Sequence, residues 1–166
     1  MERGLPWAGV LARLVVGGVW LVAGALKVAT PGESINAVQA YRILSSSAAE
    51  WVGVSMPAIE LVVGLALVAG VFVRGAAVLS AVLLLAYIGA IASVWARGMN
   101  ISCGCFGGSG TVSDPASTYP WEIARDAALL LGSLLLVWLR RTPLALDSLL
   151  FPTRPSGVGP SPVEGD

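Results

Sequence analysis

The sequence predicts an all-α integral membrane protein, a four-transmembrane-helix bundle with an extracytoplasmic Cys-Gly-Cys loop. Hydrophobic residues make up 56% of the chain and charged residues only 12%, with a mean hydropathy of +0.81, which is well outside the composition of soluble domains. Four apolar runs have about the 20 residues that a helix needs to cross a bilayer. The formal net charge is zero, so there is no basic field for nucleic acid. The lipid bilayer is the expected partner, and no binding to nucleic acid is expected.

The four apolar runs cover about residues 7–29, 52–73, 75–96 and 121–139. Each has the length and the low charge of a membrane-spanning helix. We therefore predict one membrane domain over residues 1–145. The first run could instead be a cleaved signal peptide with Arg13 as its basic flank. However, Lys27 stands where the small residue of a cleavage site belongs, so an uncleaved helix is the better interpretation.

The segments outside these runs differ in composition. Residues 30–50 begin with Thr30-Pro31-Gly32-Glu33, which has the spacing of a capping box with proline at the first helical position. Apolar residues then recur at three-residue steps, which predicts a short helix on the outer membrane surface. Residues 97–120 are rich in Gly, Ser, Thr and Pro, so an irregular loop is expected. Residues 146–166 are predicted to be a cytoplasmic tail, disordered from residue 152 on.

The positions of arginine predict the orientation of the chain. The side that holds both termini and the short second loop carries Arg3, Arg74, Arg140, Arg141 and Arg154. The other side carries Arg42 and Arg97. By the positive-inside rule both termini are cytoplasmic and the cysteine loop is extracytoplasmic. The chain has nine arginines and one lysine, which suggests a GC-rich bacterial genome, so the expected location is a bacterial inner (plasma) membrane, where disulfides persist on the outer side. Tryptophans near the predicted helix ends fit this arrangement, and Trp20 alone is expected to lie deep.

The two cysteines of the chain, Cys103 and Cys105, are one residue apart. Two thiols this close can interconvert between dithiol and disulfide, and Gly104 lacks the Cβ that would resist a tight ring. A redox-active pair requires a stabilised thiolate, which nearby positive charge favours. The alternatives are a static structural disulfide, reduced thiols or a metal site. Metal is the weakest, because two sulfurs are half of a tetrahedral site and the chain has no histidine.

Charged residues inside the predicted helices form the second informative pattern. Each costs at least roughly 2.5 kcal/mol at mid-membrane, so it normally faces the bundle interior. On the first helix one face is shared by Arg13, Gly17, Trp20, Gly24 and Lys27. Glycines there allow close approach of a neighbouring helix. Arg13 and Lys27 either act inside the bundle or simply extend to water at the membrane surfaces.

Glu60 lies about eight residues into the second predicted helix, on a face shared with Pro57 and Gly64. A short carboxylate at this depth does not reach water without help. It requires a partner, and the candidates at a similar depth are Lys27 and Arg125.

Further charges fall in the first two turns of the fourth predicted helix. They are Glu122, Arg125 and Asp126, with Glu122 and Asp126 on one face. Together with Glu60 and Lys27 they predict a charged cluster beneath the cysteine loop. The cluster could fix the register of the helices. It could also act on the thiols, with Lys27 or Arg125 favouring the thiolate and Glu60 relaying protons.

Several groups of residues together resemble one membrane protein family. They are Arg13 with Gly17; Ala23-Gly24-Ala25-Leu26-Lys27; Tyr41-Arg42-Ile43-Leu44; Pro57 with Glu60 and Gly64; Cys103-Gly104-Cys105-Phe106-Gly107; and Arg125-Asp126. Their order resembles the methylamine-utilisation MauE family, part of the DoxX-like group, over roughly residues 8–140. The resemblance implies a four-helix membrane protein. In methylamine-oxidising bacteria the family is associated with maturation of the disulfide-rich small subunit of methylamine dehydrogenase, and similar proteins accompany a thioredoxin-like partner on the outer face.

These patterns lead to the hypothesis of a bacterial inner-membrane protein that supports extracytoplasmic thiol–disulfide exchange. Cys103 and Cys105 are the expected redox pair, acting through mixed disulfides. Lys27, Glu60 and Arg125 are the expected tuning or proton-relay residues. Substrate contact is expected through a separate exported thioredoxin-like protein. Electrons could then pass to a membrane quinone, for which the sequence indicates no binding residue.

Two other hypotheses come from different classes of protein. One is a non-enzymatic scaffold or assembly factor for a thioredoxin-like partner or a maturing subunit, with the cysteines locked in a structural disulfide. The other, a small-molecule transporter, ranks last because four helices are few for alternating access. Structural roles are expected for Arg13, Asp126, Glu122, Gly104 and Gly107.

Overall fold

The computed structural model describes residues 4–104, 111 and 114–139, with side chains from Trp7 onward. Within these residues the chain forms five helices and no strand, which confirms the all-α prediction. The helices are α1 (Gly4–Ala29), α2 (Pro31–Ala40), α3 (Ser46–Ala69), α4 (Val73–Ala96) and α5 (Pro115–Trp138). Cys105, Gly107 and the predicted tail lie outside the described residues.

Three of the described helices are long and apolar enough to cross a membrane. They are Trp7–Ala29 of α1, α3 and α4. The protein is therefore a membrane protein by the length and composition of these helices. α5 is equally long, at 24 residues, but it carries Glu122, Arg125 and Asp126 in its first half and is not among the three. A fourth span through α5 thus stays a prediction.

α5 begins at Pro115, so residues 115–120 are helical where an irregular loop was expected. Asp114 is the N-cap residue and Pro115 stands in the first turn, where its missing N–H is harmless. The hydroxyl of Ser117 donates to Asp114 Oδ2 at 2.8 Å, and that of Thr118 donates to Asp114 O at 2.7 Å. Composition misled the prediction, because Ser, Thr, Asp and Pro are common both in loops and in the first turn of helices.

α2 is the short helix that the sequence predicts after the first apolar run. Its N-cap is Thr30 with Pro31 in the first turn, as the spacing indicates, but no side chain caps the helix. The Thr30 hydroxyl instead donates back to Leu26 O of α1 at 3.2 Å, so the capping box does not form. α2 packs against α3, where Ser34 Oγ donates to Gly53 O at 2.8 Å.

α1 and α3 are in backbone contact through glycines. A Cβ atom on Gly17 would lie 3.0 Å from Gly64 O, and one on Gly64 would lie 2.9 Å from Gly17 O. Gly24 makes a similar approach to Pro57 O at 3.0 Å. The crossing therefore depends on small residues, as is common between membrane helices.

The predicted inward face of α1 is buried along its whole length. Arg13 is 3% exposed and Lys27 4%, so the alternative that they simply extend to water is wrong. Trp20 is also buried, and its Nε1 donates to Ser80 Oγ of α4 at 2.7 Å. Ser80 Oγ lies 2.9 Å from Ser133 Oγ of α5. This polar chain links three helices in the middle of an otherwise apolar core.

Candidate functional site

The cysteine end is the end of the bundle where α1 and α4 finish and where α3 and α5 begin. Cys103 lies there in the segment that follows α4 and is 8% exposed. It packs in a small apolar cluster with Ile91, Val94 and Tyr119. An apolar environment disfavours a thiolate unless a cation is near, so the charges around Cys103 decide its chemistry.

Two tyrosines hold the segment that leads to Cys103. Tyr119 of α5 is 1% exposed, and its hydroxyl accepts the N–H of Ile101 at 3.0 Å and lies 2.7 Å from Met99 O. Tyr41, which follows α2, donates to Cys103 O at 2.9 Å. Cys103 is thus positioned by elements on both sides of it.

Gly104 follows Cys103 with a positive φ of 67°. A residue with a Cβ is strained in this left-handed conformation, whereas glycine adopts it readily. The chain therefore turns immediately after Cys103 at a position that requires glycine.

Beneath Cys103, the buried Lys27 of α1, the buried Glu60 of α3 and the half-buried Tyr87 of α4 form a hydrogen-bonded triad. Lys27 Nζ lies 2.5 Å from Glu60 Oε1 and donates to the Tyr87 hydroxyl at 3.1 Å. The Tyr87 hydroxyl in turn donates to Glu60 Oε1. Glu60 is 0% exposed, as its predicted depth requires. Of the two cations that the sequence offers, the structure pairs Glu60 with Lys27.

The second carboxylate oxygen of Glu60, Oε2, differs from Oε1 in its hydrogen bonding. Oε2 is buried and has no hydrogen-bond partner among the residues that the structure describes. Leaving a buried acceptor unpaired costs about 1–3 kcal/mol. The triad is therefore incomplete at this one atom.

A cavity of about 40 Å³ connects the triad with the cysteine, and we call it the cysteine cavity. Its lining includes Lys27, Tyr87, Tyr41, Cys103 and Gly104. The space is enough for a few water molecules. Lys27 therefore faces Glu60 and Tyr87 as well as a small cavity with the cysteine on its wall.

Arg125 and Asp126 of α5 lie at a second cavity, of about 20 Å³, which also has Trp20 and Tyr87 in its lining. Arg125 donates to Asp126 Oδ1 through Nε at 3.0 Å and Nη2 at 2.8 Å. Asp126 Oδ2 is buried without a hydrogen-bond partner in the described part of the chain. Arg125 therefore neutralises Asp126, and Tyr87 is common to the linings of both cavities.

Glu122 and Arg13, for which structural roles were predicted, are not part of the lining of either cavity. Glu122 is half-buried on α5, and its Oε2 has no hydrogen-bond partner among the described residues. Arg13 lies toward the other end of α1, where its Nε donates to Leu67 O at 2.9 Å and its Nη2 to Val68 O at 3.2 Å. These carbonyls belong to the last turn of α3, where a positive charge also favours the helix dipole. Arg13 thus joins α1 to the C-terminus of α3.

The family model described as methylamine utilisation protein MauE matches residues 5–139. The chain belongs to the MauE family. The match runs from the first turn of α1 to the end of α5 and includes Cys103, the triad and the Arg125–Asp126 pair. No curated protein and no solved structure matches the chain.

Sequence reasoning on this MauE-family protein missed Tyr87 and Tyr119. A signal was available, because the chain has three tyrosines and all of them place a hydroxyl at the cysteine end. A buried tyrosine hydroxyl usually finds a hydrogen-bond partner. Tyr87, in the apolar helix α4, therefore points to a polar group on a neighbouring helix, although the sequence does not say which.

Proposed function

We propose that this protein supports thiol–disulfide exchange on the extracytoplasmic side of a bacterial inner membrane, with Cys103 and Cys105 as the redox pair. The observation that carries the proposal is the shared cavity of Cys103 and Lys27. Lys27 is the one lysine of the chain, and a cation beside a sulfur favours the nucleophilic thiolate. Membership of the MauE family, whose name refers to methylamine utilisation, is compatible with maturation of a disulfide-containing exported protein.

The proposed exchange has two steps. The thiolate of one cysteine attacks a disulfide of an exported thioredoxin-like protein, forming a mixed disulfide and releasing one thiolate of that partner. The second cysteine then attacks the mixed disulfide, which leaves a Cys103–Cys105 disulfide and releases the other partner thiolate. Two electrons pass to the partner, and its two sulfurs take up the two protons that the cysteine pair loses. The reverse sequence oxidises the partner.

The surroundings of Cys103 support distinct roles for the other candidates. Lys27 stabilises the thiolate, and Glu60 receives or returns protons as the thiols change state. Arg125 acts with Asp126 at the second cavity, where it balances the charge of the cluster. A membrane quinone as the electron acceptor stays a prediction from the sequence.

The experiment that tests the proposal is a redox titration of the cysteine pair in native membranes. The membranes are equilibrated in defined thiol buffers, and thiols are then trapped with a maleimide. A midpoint between about −120 and −270 mV, the range of known exchange proteins, supports an active couple. A pair that stays oxidised below about −300 mV is a structural disulfide and overturns the proposal.

A second candidate function, a non-enzymatic scaffold for a thioredoxin-like partner, is favoured by the burial of Cys103 and its fixation by Tyr41. The two functions differ in the effect of Cys103→Ser and Cys105→Ser. For an exchange protein each variant abolishes partner oxidation or reduction while insertion and partner binding persist. For a scaffold the same variants lower partner binding or membrane abundance.

A further inference from the structure

Lys27 stands between two groups that can each use its positive charge. On one side it donates to Glu60 Oε1 at 2.5 Å, and on the other it lines the cysteine cavity with Cys103. Its side chain is 5% exposed, so bulk water does little to screen either interaction. A single buried cation placed in this way stabilises one anion at the expense of the other.

We propose that Glu60 restrains the reactivity of Cys103 by competing with its thiolate for Lys27. The inference rests on the proposed function, in which Cys103 acts as a nucleophile. While the Glu60 carboxylate is charged, it neutralises Lys27 and the sulfur stays a thiol. When Glu60 takes up a proton, Lys27 becomes available to the thiolate across the cavity.

Charge conservation favours this coupling. Before the change the group contains Lys27 as a cation, Glu60 as an anion and Cys103 as a neutral thiol. Afterwards Lys27 is still a cation, Glu60 is a neutral acid and Cys103 is the anion. One proton moves from sulfur to carboxylate, no electrons are lost or gained, and the net charge stays at zero. Loss of the proton to bulk water would instead leave an uncompensated buried charge, which is costly.

The two oxygens of Glu60 differ in their contacts, and we assign the proton to Oε2. Oε1 already accepts from Lys27 and Tyr87, whereas Oε2 is buried and has no hydrogen-bond partner among the described residues. A proton on Oε2 neutralises the carboxylate without displacing either donor from Oε1. The unpaired atom is thus explained as a proton-accepting site.

The other ionisable groups near the triad do not replace Lys27 in this role. By element they are Tyr41 after α2, the exposed Arg97 after α4, and Tyr119, Glu122, Arg125 and Asp126 on α5. Arg97 donates to Tyr41 O at 2.7 Å and is not part of the lining of the cysteine cavity. Asp126 interacts electrostatically with both Arg125 and Lys27. Arg125 is bound to Asp126 through two hydrogen bonds. Lys27 is the cation in the lining of the cysteine cavity.

The test uses the full-length chain with Cys105→Ser, so that Cys103 is the one cysteine present. The rate of Cys103 alkylation by iodoacetamide is measured against pH in membranes. Glu60→Gln should lower the midpoint pH of this profile, because Lys27 loses the competing anion. A shift of one pH unit corresponds to about tenfold faster alkylation below the midpoint. A residue that matters only for stability would change the abundance of the protein and not this midpoint.

A double variant shows whether the effect runs through Lys27. Lys27→Met with Glu60→Gln removes both charges, so neither is left unpaired in the bundle. The acceleration seen with Glu60→Gln should disappear, and the midpoint should lie at or above that of the parent. If the double variant alkylates as fast as Glu60→Gln alone, the competition for Lys27 is refuted.

Two further variants keep the test decisive. Glu60→Asp retains the charge but withdraws the carboxylate from Lys27, so a smaller acceleration is expected even if Glu60→Gln does not accumulate. Ser34→Ala removes a different hydroxyl from the same cavity, one that donates to Gly53 O, and it should not lower the midpoint. Unchanged or slower alkylation in the Glu60 variants overturns the inference. This readout needs no disulfide, so it is independent of the redox titration that tests the proposed function.

Discussion

At the end of the bundle opposite the cysteine, Arg13 donates to Leu67 O at 2.9 Å and to Val68 O at 3.2 Å, so that its charge meets the carbonyl end of a helix. At the cysteine end, Glu60 and Asp126 each pair one oxygen with a cation and keep a second, buried oxygen without a partner among the described residues. Small cavities lie beside the cations of both pairs.

Under the proposed function, the difference separates a structural role from a chemical one. The hydrogen bonds from Arg13 to Leu67 O and Val68 O join α1 to α3 through neutral carbonyls that do not change their charge. At the cysteine end, Glu60 and Asp126 each have a carboxylate oxygen without a hydrogen-bond partner among the described residues, and such an oxygen is where the proposal places a proton. Most buried polar groups in native proteins have partners, so we assign the proposed change of charge state to this end, where two carboxylate oxygens have no hydrogen-bond partner among the described residues.

Lys27→Met is expected to cause the largest loss of stability among the variants that compare the two ends of the bundle. The substitution leaves Glu60 as an unpaired charge in the bundle, which costs about 3–5 kcal/mol. Adding Glu60→Gln removes that charge and should restore most of the lost stability. The measurement is the unfolding midpoint of the purified protein in mixed detergent, followed by helix content.

The matched variant at the other end is Arg13→Met. It removes charged hydrogen bonds to the neutral carbonyls of Leu67 and Val68 at the end of the bundle opposite Glu60, and a total loss of about 1.5–3 kcal/mol is expected. Glu60→Gln should therefore not rescue Arg13→Met. Rescue of both variants by the same substitution would show that the two ends do not differ in the proposed way.

A smaller loss is expected from Gly64→Ala, at the crossing that both ends share. The new Cβ would lie 2.9 Å from Gly17 O and 2.8 Å from a side-chain atom of Leu21, so the helices must separate. Overpacking of this kind costs about 1–3 kcal/mol. The control is Gly89→Ala in α4, because nothing lies within 4 Å of its new Cβ. A similar loss in both variants would contradict a specific α1–α3 contact.

Much of this arrangement could be predicted from the sequence, because it follows from helical periodicity. The spacing of Arg13, Trp20 and Lys27 places them on one face of α1, and that face is buried. The depth of Glu60 required a cation, and the candidates were limited to two. The start of α2 at Thr30-Pro31 followed from local preferences.

The features that the sequence did not predict depend mostly on contacts between segments that are distant in the chain. Periodicity fixes the face of a helix but not its register against a neighbour, so the sequence could not choose between Lys27 and Arg125 for Glu60. Tyr87 was missed because hydropathy counts it within an apolar helix, although its hydroxyl binds two charged residues. The start of α5 at Pro115 was missed because first-turn residues and loop residues have the same composition.

The smallest expected effect comes from Ser80→Ala in the middle of the bundle, and it tests where the cysteine end stops. Ser80 accepts from Trp20 Nε1 and contacts Ser133, but it is not part of the lining of either cavity. Its loss should cost about 0.6–1.7 kcal/mol, as for other hydrogen bonds between membrane helices. In the chain with Cys105→Ser, the midpoint pH of Cys103 alkylation should stay unchanged. A shift of that midpoint would mean that the central polar chain takes part in controlling the thiol, and the chemical region would then extend into the middle of the bundle rather than ending at the triad.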